Sequence, residues 1–176
     1  MSKFLIATLG FPGSGKTYFS KQFTKDMGFF HLNSDRLRSE MFPQPKFDAQ
    51  ENAAVFRTMD YITEELLRSN VSLVYDANST KRTFRKRLQQ IAKKQKAHYI
   101  LLWFQTPVKT ALKRVHARKG ITSKTQKMYH KAMDDEVLFR IRAAEEPPID
   151  EPHIILQTAP YEKQKLQLTR FLHSLK

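Results

Sequence analysis

Six apolar residues, Phe4 to Leu9, run directly into Gly10-Phe11-Pro12-Gly13-Ser14-Gly15-Lys16-Thr17. A buried strand that turns at once into a helix through such a loop leaves few folds open. The octet satisfies G-x-x-x-x-G-K-[ST] in the strand-then-helix setting that gives the pattern its meaning. The chain has only five glycines, and Gly10, Gly13 and Gly15 are three of them. Without Cβ atoms, successive backbone N–H groups can turn inward at a helix N-terminus, where they suit phosphate oxygens. Pro12 and Ser14 complete the loop. Lys16 is expected to reach the β- and γ-phosphates of ATP, and the Thr17 hydroxyl to ligate Mg²⁺. A plain glycine-rich turn with no ligand is the competing reading, and it leaves the Lys-Thr pair at this spacing unexplained.

Four further apolar runs have strand length: Val71–Tyr75, Tyr99–Phe104, Ile154–Leu156 and the weaker Phe29–Leu32. Between them apolar residues recur at steps of three or four, as in Val55, Met59, Ile62 and Leu66, or Phe84, Leu88 and Ile91. Strands apolar on both faces and separated by helices predict a parallel sheet covered on both sides. The expected fold is therefore a three-layer αβα domain of kinase-type P-loop class with five parallel strands, formed by the chain 1–176 as one domain. Ligands of such sheets bind at the carboxyl ends of the strands.

Composition narrows the function. There is no cysteine, which excludes disulfide frameworks, thiolate metal sites and cysteine nucleophiles together. No apolar run is long enough for a membrane span or a secretory signal, so a cytoplasmic location with no membrane partner is expected. The formal net charge is +14, with 31 Lys and Arg against 17 Asp and Glu. Residues 77–133 hold 16 of those cations and no acid, so one segment supplies the whole excess. Lys81, Arg82, Arg85, Lys86 and Arg87 crowd the predicted helix after Asp76, where they would give a polyanionic acceptor sequence-independent affinity. A nearby Tyr or Phe could stack a terminal base. A solvated helix face is the alternative.

Three acidic or amide positions follow strands. Asp35, in Asn33-Ser34-Asp35-Arg36-Leu37-Arg38, is a general base for an attacking hydroxyl, unless Ser34 or Asp35 serves as the cap of a helix over 36–42. Arg38 would share a helical face with it and either bind an acceptor phosphate or be solvated. Asp76 and Asn78 follow the third strand. The place of Asp76 after an apolar run favours a carboxylate near a metal over a mere turn former. Arg114 and Arg118 sit at i and i+4 on a helix ending near Gly120. They form a lid arginine pair or, on the residues alone, the favoured solvated basic face.

The ordered series of the glycine loop, Asn33-x-Asp35-x-x-Arg38, Asp76-Ala77-Asn78 and Arg114-x-x-x-Arg118-x-Gly120 resembles the kinase domain of phage and bacterial polynucleotide 5′-kinases, from about Lys3 to Met133. Glu145-Glu146-Pro147-Pro148 to Glu151 resembles an acidic, proline-containing stretch of the wider group of small P-loop kinases, which includes zeta-type toxins. That resemblance implies Asp35 as general base, Arg38 as acceptor-phosphate contact, Arg118 as the lid arginine on the donor phosphates, and Lys16 and Thr17 as donor-phosphate and metal residues. It implies ATP and Mg²⁺ as cofactors and a nucleic acid 5′-hydroxyl as acceptor; the placing of Arg82 and Arg85 on the acceptor track rests on the basic segment alone. A small-molecule kinase acting on a nucleoside, sugar, antibiotic or nucleotide-sugar is the alternative. A nucleotide-dependent nucleic-acid-binding module is a third reading, against which Asp35 argues, since binding alone needs no base.

Overall fold

The computed structural model describes residues 2–117 and 135–175. Five strands, β1 (Phe4–Leu9), β2 (Phe30–Asn33), β3 (Leu73–Asp76), β4 (His98–Gln105) and β5 (His153–Gln157), form one parallel sheet in the order β2-β3-β1-β4-β5. The described helices are α1 (Lys16–Met27), α2 (Ser34–Met41), α3 (Ala49–Arg68), α4 (Arg82–Lys94), α5 (Val108–Ala117), α6 (Asp135–Ala143) and α7 (Tyr161–Ser174).

Alternation along β1 explains the layering. Leu5, Ala7 and Leu9 face one side, where Val55, Met59 and Leu67 of α3 and Leu88 and Ile91 of α4 cover them. Phe4 and Ile6 face the other, under Phe19 and Phe23 of α1 and Leu168 and Leu172 of α7. Side chains alternate across a strand, so a strand apolar at every position can be buried only between two helical layers. Every residue of β1 is buried. Among the described residues, no helix is long and apolar enough to cross a membrane.

The chain leaves β1 toward β2 and β3 on one side and later crosses to β4 on the other. This reversal of direction opens a crevice at the carboxyl end of β1, where α/β sheets bind ligands.

Several element ends shift by a residue or two from the expected runs, and two of these boundaries have clear local reasons. The third strand begins at Leu73 rather than Val71, because Asn70 takes φ 59° and the Val71 N–H returns to the Leu66 carbonyl at 2.8 Å, closing α3. The helix expected over 36–42 begins at Ser34, because Asn33 caps it by accepting the Arg36 N–H at 2.8 Å. Capping by Ser34 or Asp35 is therefore corrected: both lie inside α2.

Arg85 also departs from expectation. It is wholly buried, not part of an exposed acceptor track. Its Nη2 lies 2.6 Å and its Nε 2.8 Å from one Glu151 oxygen, while Nη1 donates to the Ser79 and Thr80 carbonyls at 2.9 and 3.0 Å. Glu146 accepts the Arg82 N–H at 2.7 Å and pairs with Lys81, and Asp150 pairs with Arg82. The acidic stretch after α6 thus fastens the N-terminal end of α4 and, through Arg85, the loop that follows β3.

Arg85→Ala strands a buried carboxylate and two carbonyls, so it should lower the unfolding free energy by about 3–5 kcal/mol. Lys81→Ala, at an exposed pair, should cost no more than about 1 kcal/mol. Urea unfolding of the two variants checks the contrast.

Candidate active site

The glycine loop is shaped by crowding. Gly10 has φ 147°, and a Cβ there would lie 2.6 Å from the Phe104 carbonyl oxygen. Gly13 has φ 83°, and a Cβ would meet the Ala111 carbonyl oxygen at 2.4 Å. Neither position accepts another residue without shifting the backbone of β4 or α5. Thr106 beyond β4 donates to the Ser14 carbonyl at 3.0 Å, and the Ser14 N–H returns to Phe11 at 3.0 Å. Pro12 lies within the turn so formed.

Gly15 is the N-cap of α1, and no side chain bonds to the helix start there. The first turn carries no acidic residue. A helix N-terminus with no capping side chain and no acid offers its N–H groups and its dipole to an anion. Lys16 Nζ lies against the Gly10 and Phe11 carbonyls at 2.6 and 3.1 Å, holding its charge at the loop. Arg114 Nη1 donates to the Gly13 carbonyl at 3.4 Å, so α5 brings a second cation to the same loop. Arg118 lies outside the described residues.

Opposite the loop, the ends of β2 and β3 supply carboxylates. Asp76 is buried at 2% exposure. Its Oδ1 accepts from the Thr17 hydroxyl at 3.4 Å, and its Oδ2 lies 2.8 Å from Asn33 Nδ2 and 2.9 Å from His31 Nε2. The Thr17 hydroxyl and the Asp76 carboxylate are hard oxygen donors on one side of the site. Together they fit a small divalent cation that keeps waters and phosphate oxygens as its other ligands. Asn78 follows two residues on, its side-chain oxygen buried and without a partner among the described residues.

Asp35, in the first turn of α2, is exposed to solvent on its open side. Even so, the protein around it strips water from the carboxyl, and the Asp76 charge adds repulsion. Together they push its pKa above the usual carboxylate range, against the pull of Arg38 and Lys16. These same interactions place Asp35 in the electrostatic field of the glycine loop.

Arg38 is positioned differently from an exposed acceptor contact. It is buried, donates from Nη1 to Glu51 Oε2 at 3.2 Å and from Nη2 to Asn52 Oδ1 at 2.6 Å, and lies over the Phe47 ring. Burial works against the Glu51 charge, but N–H groups of Lys46 and Phe47 together with Arg38 hold its pKa below the ordinary range. Arg82 is exposed but paired with Asp150.

Sequence reasoning missed His31, Glu51 and Asn52, and for the stretch with Glu146 and Glu151 it missed the partners on α4. A signal for His31 existed: in Phe-His-Leu-Asn the two polar residues alternate, so His31 must share a strand face with Asn33.

Loop, sheet order and strand-end carboxylates together define a P-loop kinase. Residues 5–148 match the AAA domain family, and the chain belongs to it. It is 30% identical over 115 residues to the L-seryl-tRNA(Sec) kinase of Methanococcus maripaludis, a stretch covering 62% of this chain. The same stretch spans 44% of that relative's length. Among solved structures, the Mycobacterium tuberculosis APS kinase CysC, in complex with AMPPNP and APS, superposes with TM-score 0.69 at 17% identity over 98% of each chain. Chaetomium thermophilum Kti12, in complex with ADP-AlF3, superposes with TM-score 0.70 at 19% identity over 97% of each chain. These likenesses show the fold of a P-loop kinase.

Asp35→Asn should lower kcat about 10²–10⁴-fold, the usual worth of a positioned base. A raised carboxyl pKa means the folded state binds more protons than the unfolded one between the two pKa values. Stability therefore falls as pH rises through that window, and the penalty is complete once pH exceeds the folded-state pKa. The same substitution should accordingly leave the melting temperature at pH 7 unchanged or raised. In wild type the acid limb of kcat against pH should lie above the ordinary carboxylate range. Steady-state rates and thermal melts across pH test these expectations.

Proposed function

We propose that this chain transfers the γ-phosphoryl group of ATP to the 5′-hydroxyl of a nucleic acid end. The observation that carries the reading is Asp35: a carboxylate of raised pKa, open to solvent on one side and within the field of Lys16 and Asp76. A nucleotide-binding module has no use for such a base.

In this reading the N–H groups of Gly13 to Thr17 hold the donor phosphates, and Lys16 exchanges the Gly10 and Phe11 carbonyls for the β- and γ-phosphate oxygens. Arg114 adds positive charge at the Gly13 side of the loop, and Arg118 is assigned the lid role on the donor phosphates. Thr17 and Asp76 would hold Mg²⁺, which would supply charge neutralisation for the donor phosphates. Asp35 accepts the acceptor's proton as its oxygen bonds to the γ-phosphorus, and the bond to the β-phosphate oxygen breaks to release ADP. Asn78 and Arg38 flank the acceptor side, where Arg38 acts from its buried position as a charge that restrains the pKa of Asp35.

The nucleic acid acceptor is supported by the +14 net charge and by the uncompensated cations on α4 and just past its end. Arg82, Arg85, Arg87 and Lys94 are paired with acids, whereas Lys86, Lys93 and Lys96 are exposed with no ion pair among the described residues. The seryl-tRNA kinase likeness agrees with an acceptor hydroxyl carried on RNA.

A small-molecule acceptor is the second reading. A hollow of about 630 Å³ lined by Phe42, Pro43, Gln44, Lys46 and Asp48 favours it, a volume that suits a metabolite. Phe42, which lines that hollow, follows directly on α2, the helix whose first turn carries Asp35.

For an oligonucleotide acceptor, the apparent KM should rise steeply with salt. Charge reversal at Lys86, Lys93 and Lys96 should weaken binding and flatten the slope by about 0.7–0.9 per lost phosphate contact. ATP affinity should stay the same. Labelled-ATP transfer to an oligonucleotide 5′-hydroxyl and to a panel of nucleosides and sugars, each over a salt series, decides between the readings. A flat series for oligonucleotides with efficient transfer to a metabolite would reverse the assignment.

A further inference from the structure

Strand β2 is a four-residue edge strand, yet two of its residues, His31 and Asn33, are polar and project from the same face. That face is shared with Asp76, because Asn33 pairs in register with Asp76 and His31 with Val74. Both polar groups converge on one atom: Asn33 Nδ2 lies 2.8 Å and His31 Nε2 2.9 Å from Asp76 Oδ2. The other carboxylate oxygen, Oδ1, is the one that meets the Thr17 hydroxyl.

A carboxylate can rotate about its Cβ–Cγ bond and present either oxygen. At 2% exposure Asp76 has little bulk water to orient it, so protein donors must do so. Two donors from one neighbouring strand occupy Oδ2, which leaves Oδ1 as the oxygen facing α1.

We propose that His31, seconded by Asn33, is a positioning residue for the cation site of the phosphoryl donor: it holds Asp76 through Oδ2 so that Oδ1 stays turned toward Thr17. An ionised carboxylate only accepts hydrogen bonds, so His31 acts through its Nε2–H, and the neutral imidazole is sufficient. A neutral donor directs the carboxylate without setting a fixed positive charge against the cation, as Lys or Arg at position 31 would. Partners of this kind, which orient a metal-side ligand without touching the metal, are commonly worth 10- to 100-fold in metal affinity. The inference rests on the assignment of Thr17 and Asp76 to the cation and is independent of the acceptor.

The test is a titration of a fluorescent ATP analogue, with no acceptor present, across Mg²⁺ concentrations and in EDTA. His31→Ala should raise the Mg²⁺ concentration for half-maximal enhancement of nucleotide binding by about 10- to 100-fold. Its affinity for the analogue in EDTA should match wild type. His31→Gln, whose amide N–H can take the place of the imidazole donor, should restore most of the Mg²⁺ response. His31→Leu, which fills the space without a donor, gives the same readout should the Ala variant fail to fold. An unaltered Mg²⁺ requirement in the donor-less variants overturns the proposal. Equal losses with and without Mg²⁺ overturn it too, since they reveal a merely structural role. A wild-type chain whose nucleotide binding ignores Mg²⁺ removes the cation from Thr17 and Asp76 and the proposal with it. Failure to find the acceptor leaves the titration unaffected.

Discussion

The backbone of the loop after β1 lies so close to the end of β4 and the body of α5 that no Cβ fits at Gly10 or Gly13. Much of the site depends on that contact. It brings the N-terminus of α1, the exit of β4 and the Arg114 side chain together around one small concavity, because the loop is the surface against which β4 and α5 are packed. Positive φ at both glycines serves the same end, turning N–H groups inward that a chain with side chains could not aim. The helix start lacks a capping side chain, a vacancy that an anion's oxygens can fill more strongly than a neutral hydroxyl.

Charge is organised around Asp76. Its burial and its three polar neighbours, Thr17, Asn33 and His31, make it the fixed negative point of the site. Asp35 feels that charge and, with the loss of water around it, holds its proton more tightly than a free carboxyl. A carboxylate shifted in this direction is a stronger proton acceptor than an ordinary aspartate, which is the property the proposed base requires. Lys16 and Arg38 pull the other way, so the proton affinity of Asp35 is a balance among four charged groups drawn from α1, α2 and β3.

The basic segment shows how tertiary structure revises an argument from composition. Along the chain, residues 77–133 carry 16 cations with no acid. In space, Glu146, Asp150 and Glu151 come back from beyond α6 and Asp60 and Glu64 come across from α3, neutralising much of α4. On α4 and just past its end, the cations left without an ion pair among the described residues are Lys86, Lys93 and Lys96. Arg85 marks the extreme: a residue that reads as part of a polyanion track is an internal strut whose guanidinium ties Glu151 to the loop after β3.

The octet from Gly10 to Thr17, the doubly apolar strands and the helical spacing between them were enough to specify a parallel three-layer fold, because loop chemistry and burial on two faces are local properties that the residue order carries directly. The strand-end positions of Asp35 and Asp76 were legible for the same reason, since a carboxylate after an apolar strand lands at the carboxyl edge of such a sheet. Partnership was not legible. Whether Arg38 meets solvent or Glu51, whether Asn33 or its neighbours cap α2, and whether His31 reaches Asp76 depend on which side chains meet across strand register and helix packing. Contacts between residues as far apart as 45 positions, as for His31 and Asp76, or 66, as for Arg85 and Glu151, leave no trace in local pattern and are decided only when the chain is closed.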